Sequence, residues 1–186
     1  MSGKKGGKRD DSYFAAGRRK RYKALMIAIP VAAAVIIGAV AAGLFYAGQN
    51  PYVLGSTHEH AVFAVKLDGQ TIDFSQGKYQ VASRYIHVEN SDGTTLHLHA
   101  LGVPFSEFLK SVDMKMENNC FTRDDGAQFC DGEEKNLRSF VNGEEVESMS
   151  SYVLKEDDRM LVLYGSENDA AIQSEIDALK NTPVRK

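Results

Sequence analysis

The chain has 186 residues, 43% of them hydrophobic and 25% charged, which is enough for one ordinary domain and something beside it. Its net charge of −3 hides a split: nine basic against two acidic residues over 1–23, then 13 basic against 23 acidic over 49–186. This composition excludes collagen-like, repeat and wholly disordered classes. The uncharged apolar run between the two halves excludes a simple cytosolic protein.

The first element is a basic tail, residues 1–23, with Lys4, Lys5, Lys8, Arg9, Arg18, Arg19, Lys20, Arg21 and Lys23 set against Asp10 and Asp11. It has too few apolar residues to fold alone, and its charge suits anionic headgroups. Residues 24–47 follow without a single charge, long enough as a helix to cross the roughly 30 Å hydrocarbon core of a bilayer. Tyr22 at one edge, and Phe45 with Tyr46 at the other, suit the interfacial aromatic belts. Basic residues before the span place the N-terminus in the cytoplasm and residues 49–186 outside. A cleaved signal peptide, with Ala39-Val40-Ala41 as its cleavage site, is the competing reading. Secretory apolar cores run about 7–15 residues, so the longer run favours an uncleaved anchor at the cell membrane. The only basic cluster is this short tail and the rest is acidic, which argues against nucleic acid as a partner.

After a linker at 48–57, residues 58–165 carry turn signals at short intervals: Asp68-Gly69, Asp92-Gly93, Asp125-Gly126, Asp131-Gly132 and Asn142-Gly143. Alternating apolar runs beside them predict antiparallel hairpins. Phe63, Val65 and Leu67 alternate, then Ile86 and Val88, then Leu96 and Leu98; further strands are predicted at Leu137–Val141, Glu144–Glu147 and Met160–Tyr164. A helix is predicted at Pro104–Ser111, with Phe105, Phe108 and Leu109 on one face. This is an α+β plan, and its last strands look like the closing strands of a β-grasp domain, which is fold analogy only. Residues 166–186 read as an amphipathic helix capped by Ser166, with Ile172, Ile176 and Leu179 at helical spacing. Such a helix docks on its own domain or on another subunit of a membrane complex.

Cys120 and Cys130 are the only cysteines. If Asp124-Asp125-Gly126 is a three-residue loop with Gly126 left-handed, Arg123 faces Ala127 and Cys120 faces Cys130. An extracytoplasmic setting then makes the pair a structural disulfide. A redox-active pair would more naturally be written Cys-x-x-Cys at a helix start, and that spacing is absent.

All five histidines, His58, His60, His87, His97 and His99, fall between residues 58 and 99. Each His-x-His places both rings on one face of a strand. If Ser91-Asp92-Gly93 is a three-residue loop, His87 meets His97 and Ile86 meets Leu98. The apolar pairs then share one face, and Tyr85, His87, Glu89, Thr95, His97 and His99 share the other. Three imidazoles and the Glu89 carboxylate make an acceptable first shell for copper or, second, zinc, and His58 and His60 could add ligands. Met114 and Met116 would offer thioethers to Cu(I), although core packing explains them as well. A pH-responsive surface is a further reading of clustered imidazoles.

The stretches IHVENSDGTTLHLHALGV, CFTRDDGAQFC, LRSFVNGEEVESMSSY and EDDRMLVLYGSEN resemble a family of membrane-anchored extracytoplasmic proteins from ammonia-oxidising archaea. The likeness covers residues 58–182, and its recurrent polar positions here are His87, His97, His99, Cys120 and Cys130. Members often carry the label protein-disulfide isomerase, which fits a chain without Cys-x-x-Cys or a thioredoxin-like βαβ pattern poorly. The setting implied, rich in copper enzymes at the outer membrane face, is compatible with copper. No nucleophile elbow, P-loop or dinucleotide fingerprint is present. The expectation is therefore a tethered binding module, with an isomerase or a purely structural partner domain as alternatives.

Overall fold

The computed structural model of the chain describes residues 11–49 and 51–185. Within these, the chain divides into two compact units, with the boundary in the sequence between Pro51 and Tyr52. The first contains helix α1, Asp11–Gln49. Its segment Arg21–Tyr46, 26 residues, is long and apolar enough to cross a membrane, and its side chains are exposed throughout. The basic stretch expected to stay a tail enters this helix from Asp11 onward; residues 1–10 of that tail lie outside the described residues. Ala, Arg and Lys are among the best helix formers, so a long apolar helix propagates through them readily.

The second unit is a mixed α+β domain. Its strands and helices are β1 (Glu59–Leu67), β2 (Gln70–Thr71), β3 (Ile86–His87), β4 (Thr95–Leu98), α2 (Phe105–Ser111), β5 (Lys115–Glu117), β6 (Cys120–Thr122), β7 (Gln128–Cys130), β8 (Asn136–Val141), β9 (Glu144–Glu145), β10 (Arg159–Gly165) and α3 (Asp169–Lys180). The main sheet runs β3-β4-β1-β10-β8-β9, with β2 paired to β1; β1 and β10 at its centre are parallel and its other pairs antiparallel. A second sheet, β5-β6-β7, is small and antiparallel.

The main core lies on one face of the large sheet. Ala61, Phe63 and Val65 of β1, Ile86 of β3, and Leu96 and Leu98 of β4 meet Phe105, Phe108 and Leu109 of α2 there. The first N–H groups of α2 find backbone carbonyls, Phe105 N bonding Tyr152 O at 2.8 Å and Ser106 N bonding Ser150 O at 2.9 Å. The opposite face is covered by α3, whose Ile172, Ile176 and Leu179 pack on Val62, Phe140, Leu161 and Leu163. Because both faces are covered, β1 is buried almost continuously, which accounts for the unbroken apolar run Ala61–Val65 beyond the alternation of Phe63, Val65 and Leu67. The cap of α3 differs from expectation: Asn168, not Ser166, accepts from Ala171 N at 3.0 Å. Asparagine and serine cap about equally well, so position along the docked face decides between them.

One turn follows the predicted chemistry. Arg123 O accepts from Gly126 N and Ala127 O from Arg123 N, with Gly126 at φ +85°, so Cys120 and Cys130 stand opposite each other and form a disulfide. Closing so short a loop contributes about 3 kcal/mol on the chain-entropy estimate. Ile86 pairs with Leu98 and His87 with His97, the expected register. Beyond His87 the hairpin opens, because Val88 turns to bridge Gln80 instead of Leu96, and the expected three-residue loop at Ser91-Asp92-Gly93 does not form: Asp92 N donates to Glu89 O, and Asn90 and Ser91, not Gly93, take positive φ. Gly93 is needed in that loop: a Cβ there would lie 2.4 Å from Ser75 N.

Candidate metal centre

The site begins with strand register. His87, His97 and His60 stand abreast on β3, β4 and β1, paired through their Cα partners. The two-residue period of a strand then brings His58 and His99 onto the same face. The rings pack closely: His58–His60 and His60–His97 centroids are 4.8 Å apart, His58–His99 4.7 Å and His87–His99 4.9 Å. His97 is the hub, with His87 at 6.0 Å, His99 at 6.4 Å and His58 at 6.5 Å. His60, His87 and His97 keep only 8%, 6% and 4% exposure, His99 is half-buried and His58 is open to solvent. One side of the cluster thus remains accessible to an incoming ion.

His58 reaches this group because residues 52–57, read as linker, are tied to the domain. Gly55 N donates to His99 O at 2.7 Å, Leu101 N to Ser56 Oγ at 2.8 Å, and Tyr52 packs edge-on against Tyr85. Tyr85, expected on the histidine face, packs with Tyr52 against the main core instead. The apolar area of two rings outweighs the strict alternation of so short a strand.

Two carboxylates border the imidazoles. Glu89 Oε2 lies 3.3 Å from His87 Nε2, and its Oε1 lies 4.0 Å from His97 Nδ1. Glu156 Oε2 lies 3.3 Å from His60 Nδ1 and accepts the His60 backbone N–H at 2.7 Å. The loop that carries Glu156 is anchored by buried Asp158, which accepts from Tyr152 Oη, Asn142 Nδ2 and Lys155 N at 2.7–2.8 Å. His87 Nδ1 meets the Ser83 carbonyl at 2.7 Å.

The electrostatics favour the neutral rings of His97 and His99. Burial holds His97 below the ordinary histidine value; Glu89 opposes that shift, while His60, His87 and His99 reinforce it. His99 is also held down, by burial first and by neighbouring imidazoles next. Burial pushes Glu89 up, but its contacts with His87 and His97 more than reverse this, so it stays ionised well into the acid range. Neutral imidazoles beside an ionised carboxylate are the forms that ligate a metal.

All six expected ligands, His58, His60, His87, Glu89, His97 and His99, border this one cluster. The tightest group is His58, His60 and His97, whose ligating atoms lie within 4.8 Å of one another. A tetrahedral ion with nitrogens at 2.0–2.1 Å would want them about 3.3 Å apart, a gap that small ring rotations close. His97 and His99, on one strand, have nearly parallel rings that do not converge, which is why the expected His87-His97-His99 trio is the looser set. Glu156 and Ser83 were not legible: Glu156 is 96 residues from His60 in a stretch that reads as an acidic turn.

Other candidates are placed elsewhere. Cys120 and Cys130 staple the small sheet, Met114 is buried in the main core and Met116 packs against it. A cleft of about 1130 Å³ is lined by none of the histidines, and Arg138 and Glu145 in its wall are paired with each other at 2.8 Å. The chain matches no known protein family, no curated protein and no solved structure.

Proposed function

We propose that the domain is a membrane-tethered, extracytoplasmic metal-binding module, not an enzyme, and that its histidine cluster takes copper or, second, zinc. The observation that carries this reading is the convergence of His58, His60 and His97 ligating atoms within 4.8 Å, next to two further imidazoles and two carboxylates. Imidazole donors suit Cu(II) and Zn(II), and the Irving–Williams order puts copper ahead. Glu156 on His60 and the Ser83 carbonyl on His87 act as the outer partners that orient metal-bound histidines. The long apolar helix and the basic residues that precede it support an anchor with the N-terminus in the cytoplasm. The parallel pair β1–β10 between two antiparallel neighbours, with α2 across one face, supports the β-grasp-like reading of the fold. Membrane-complex subunits are the partners such a tethered module would serve.

The test is calorimetry with Cu²⁺ and Zn²⁺ on the full chain in detergent. Wild type is expected to bind Cu²⁺ well below millimolar, and His97→Ala at least roughly 100-fold more weakly, because the hub of the shell is gone. Equal affinities, or no binding tighter than millimolar by either protein, would reduce the cluster to a polar sheet face.

A further inference from the structure

We propose that the cluster holds two neighbouring metal ions, the second between His87, Glu89 and His97. The inference rests on the metal-binding reading above and extends it from one position to two.

The deciding group is His87. Its Nδ1 lies 2.7 Å from the Ser83 carbonyl oxygen, which can only accept, so Nδ1 carries the hydrogen. In the neutral ring Nε2 is then a bare lone pair, and it faces Glu89 Oε2 at 3.3 Å. His87 is 6% exposed, so bulk water does little for this contact, which is closed either by a second ring proton, giving a His87–Glu89 ion pair, or by a metal ion lying between the two atoms. The metal ion is the occupant inferred, because the spacing and the second carboxylate oxygen suit it. Ligand atoms about 2.1 Å from one ion and 3.3 Å apart subtend roughly 105°, close to the tetrahedral angle. The other oxygen of the same carboxylate looks toward His97 Nδ1 at 4.0 Å, supplying a third ligand after a small rotation of the partly exposed Glu89 side chain.

This position is separate from the first, which uses His58 and His60. His97 serves both: Nδ1 is assigned to the ion at Glu89, and Nε2 to the ion at His58 and His60. Ligation through both nitrogens requires the neutral ring to give up its one N–H proton, which passes to solvent as the second ion binds. Ser83 keeps the role of outer partner, fixing the His87 ring so that Nε2 is the ligating atom.

The experiment is a Cu²⁺ titration of the chelator-stripped full chain in detergent, read by native mass spectrometry and calorimetry. Circular dichroism checks that each variant remains folded. Wild type should take two ions; Glu89→Gln should take one, as should His58→Ala; His97→Ala should lose both positions. If Glu89→Gln fails to fold, His87→Gln tests the same position and should also take one. A wild type that saturates at one ion, or a Glu89→Gln variant that still takes two, overturns the second position while leaving the single-site reading intact. No bound ion at all overturns both.

Discussion

From His58, just before β1, and along that strand, the side chains on one face of the sheet run His58, His60, Val62 and Ala64, and the face changes character between His60 and Val62. From Val62 onward it is roofed by α3, where Ile172, Ile176 and Leu179 exclude water from Val62, Leu161 and Leu163. Before Val62, and across β4 and β3, the same face is lined by imidazoles with Glu89 and Glu156 at the margin. The backbone ladder is continuous through both regions. What differs is the covering: an apolar helix in one half, a set of convergent lone pairs in the other. Apolar burial stabilises without direction, whereas packed imidazoles gain little unless each ring nitrogen finds a partner. The helix-covered half therefore serves stability and the histidine half the proposed metal binding, and the two should respond separately to mutation.

The sharpest separation is expected from Ile176→Ala under the roof. Removing a buried isoleucine should destabilise the domain by about 2–5 kcal/mol through lost transfer energy and a residual cavity. Urea unfolding followed by fluorescence or circular dichroism measures it. Cu²⁺ affinity of the folded fraction should stay within about twofold of wild type, since α3 contributes no ligand. A large affinity loss in protein that is still folded would mean that the two halves form one unit.

Glu156→Gln should do the reverse. It keeps an oxygen to accept the His60 N–H but removes the charge beside His60 Nδ1. Outer partners of this kind are worth roughly 10- to 100-fold in metal affinity, so calorimetry should show a loss of that order with unfolding nearly unchanged. Unaltered affinity would remove Glu156 from the site.

Much of this comparison was legible in the sequence, for a physical reason that can be named. Period-two patterning fixes which side chains share a face, so Ile86 against Leu98 and His87 against His97 followed from the apolar pairs alone. The same logic, with Gly126 left-handed, placed Cys120 opposite Cys130. What the pattern could not show is contact between segments far apart in sequence. The parallel pairing of β1 with β10 brings the 155–158 loop, and with it Glu156, against His60. The β1–β4 pairing joins the first His-x-His to the second, which no local rule fixes. The start of α3 was misplaced by two residues, because Ser166 and Asn168 are both good caps and the choice is made by docking.

The smallest expected effect is a pH dependence confined to the histidine half. In the metal-free protein His97 and His99 sit below the ordinary value of 6.5, through burial first; Glu89 opposes the shift and the other imidazoles add to it. The unfolded chain regains the ordinary value, so between the folded values and 6.5 it binds more protons than the native state does. Stability then rises with pH across that window: it is complete above about pH 6.5 and is lost as acid is added, levelling once both states are protonated. Glu89 has the opposite kind of window. Its folded value lies below the ordinary 4.5, so what it contributes is lost only under more acidic conditions, and measurements kept above pH 5 isolate the histidines. Urea midpoints of chelator-treated protein should therefore fall between pH 7.5 and pH 5, and the fall should shrink in His97→Gln/His99→Gln. The helix-covered half supplies the control, because Ile176→Ala should lower the midpoint equally at every pH in that range. If the double variant keeps the wild-type slope, these two imidazoles are not the groups that couple the fold to protons.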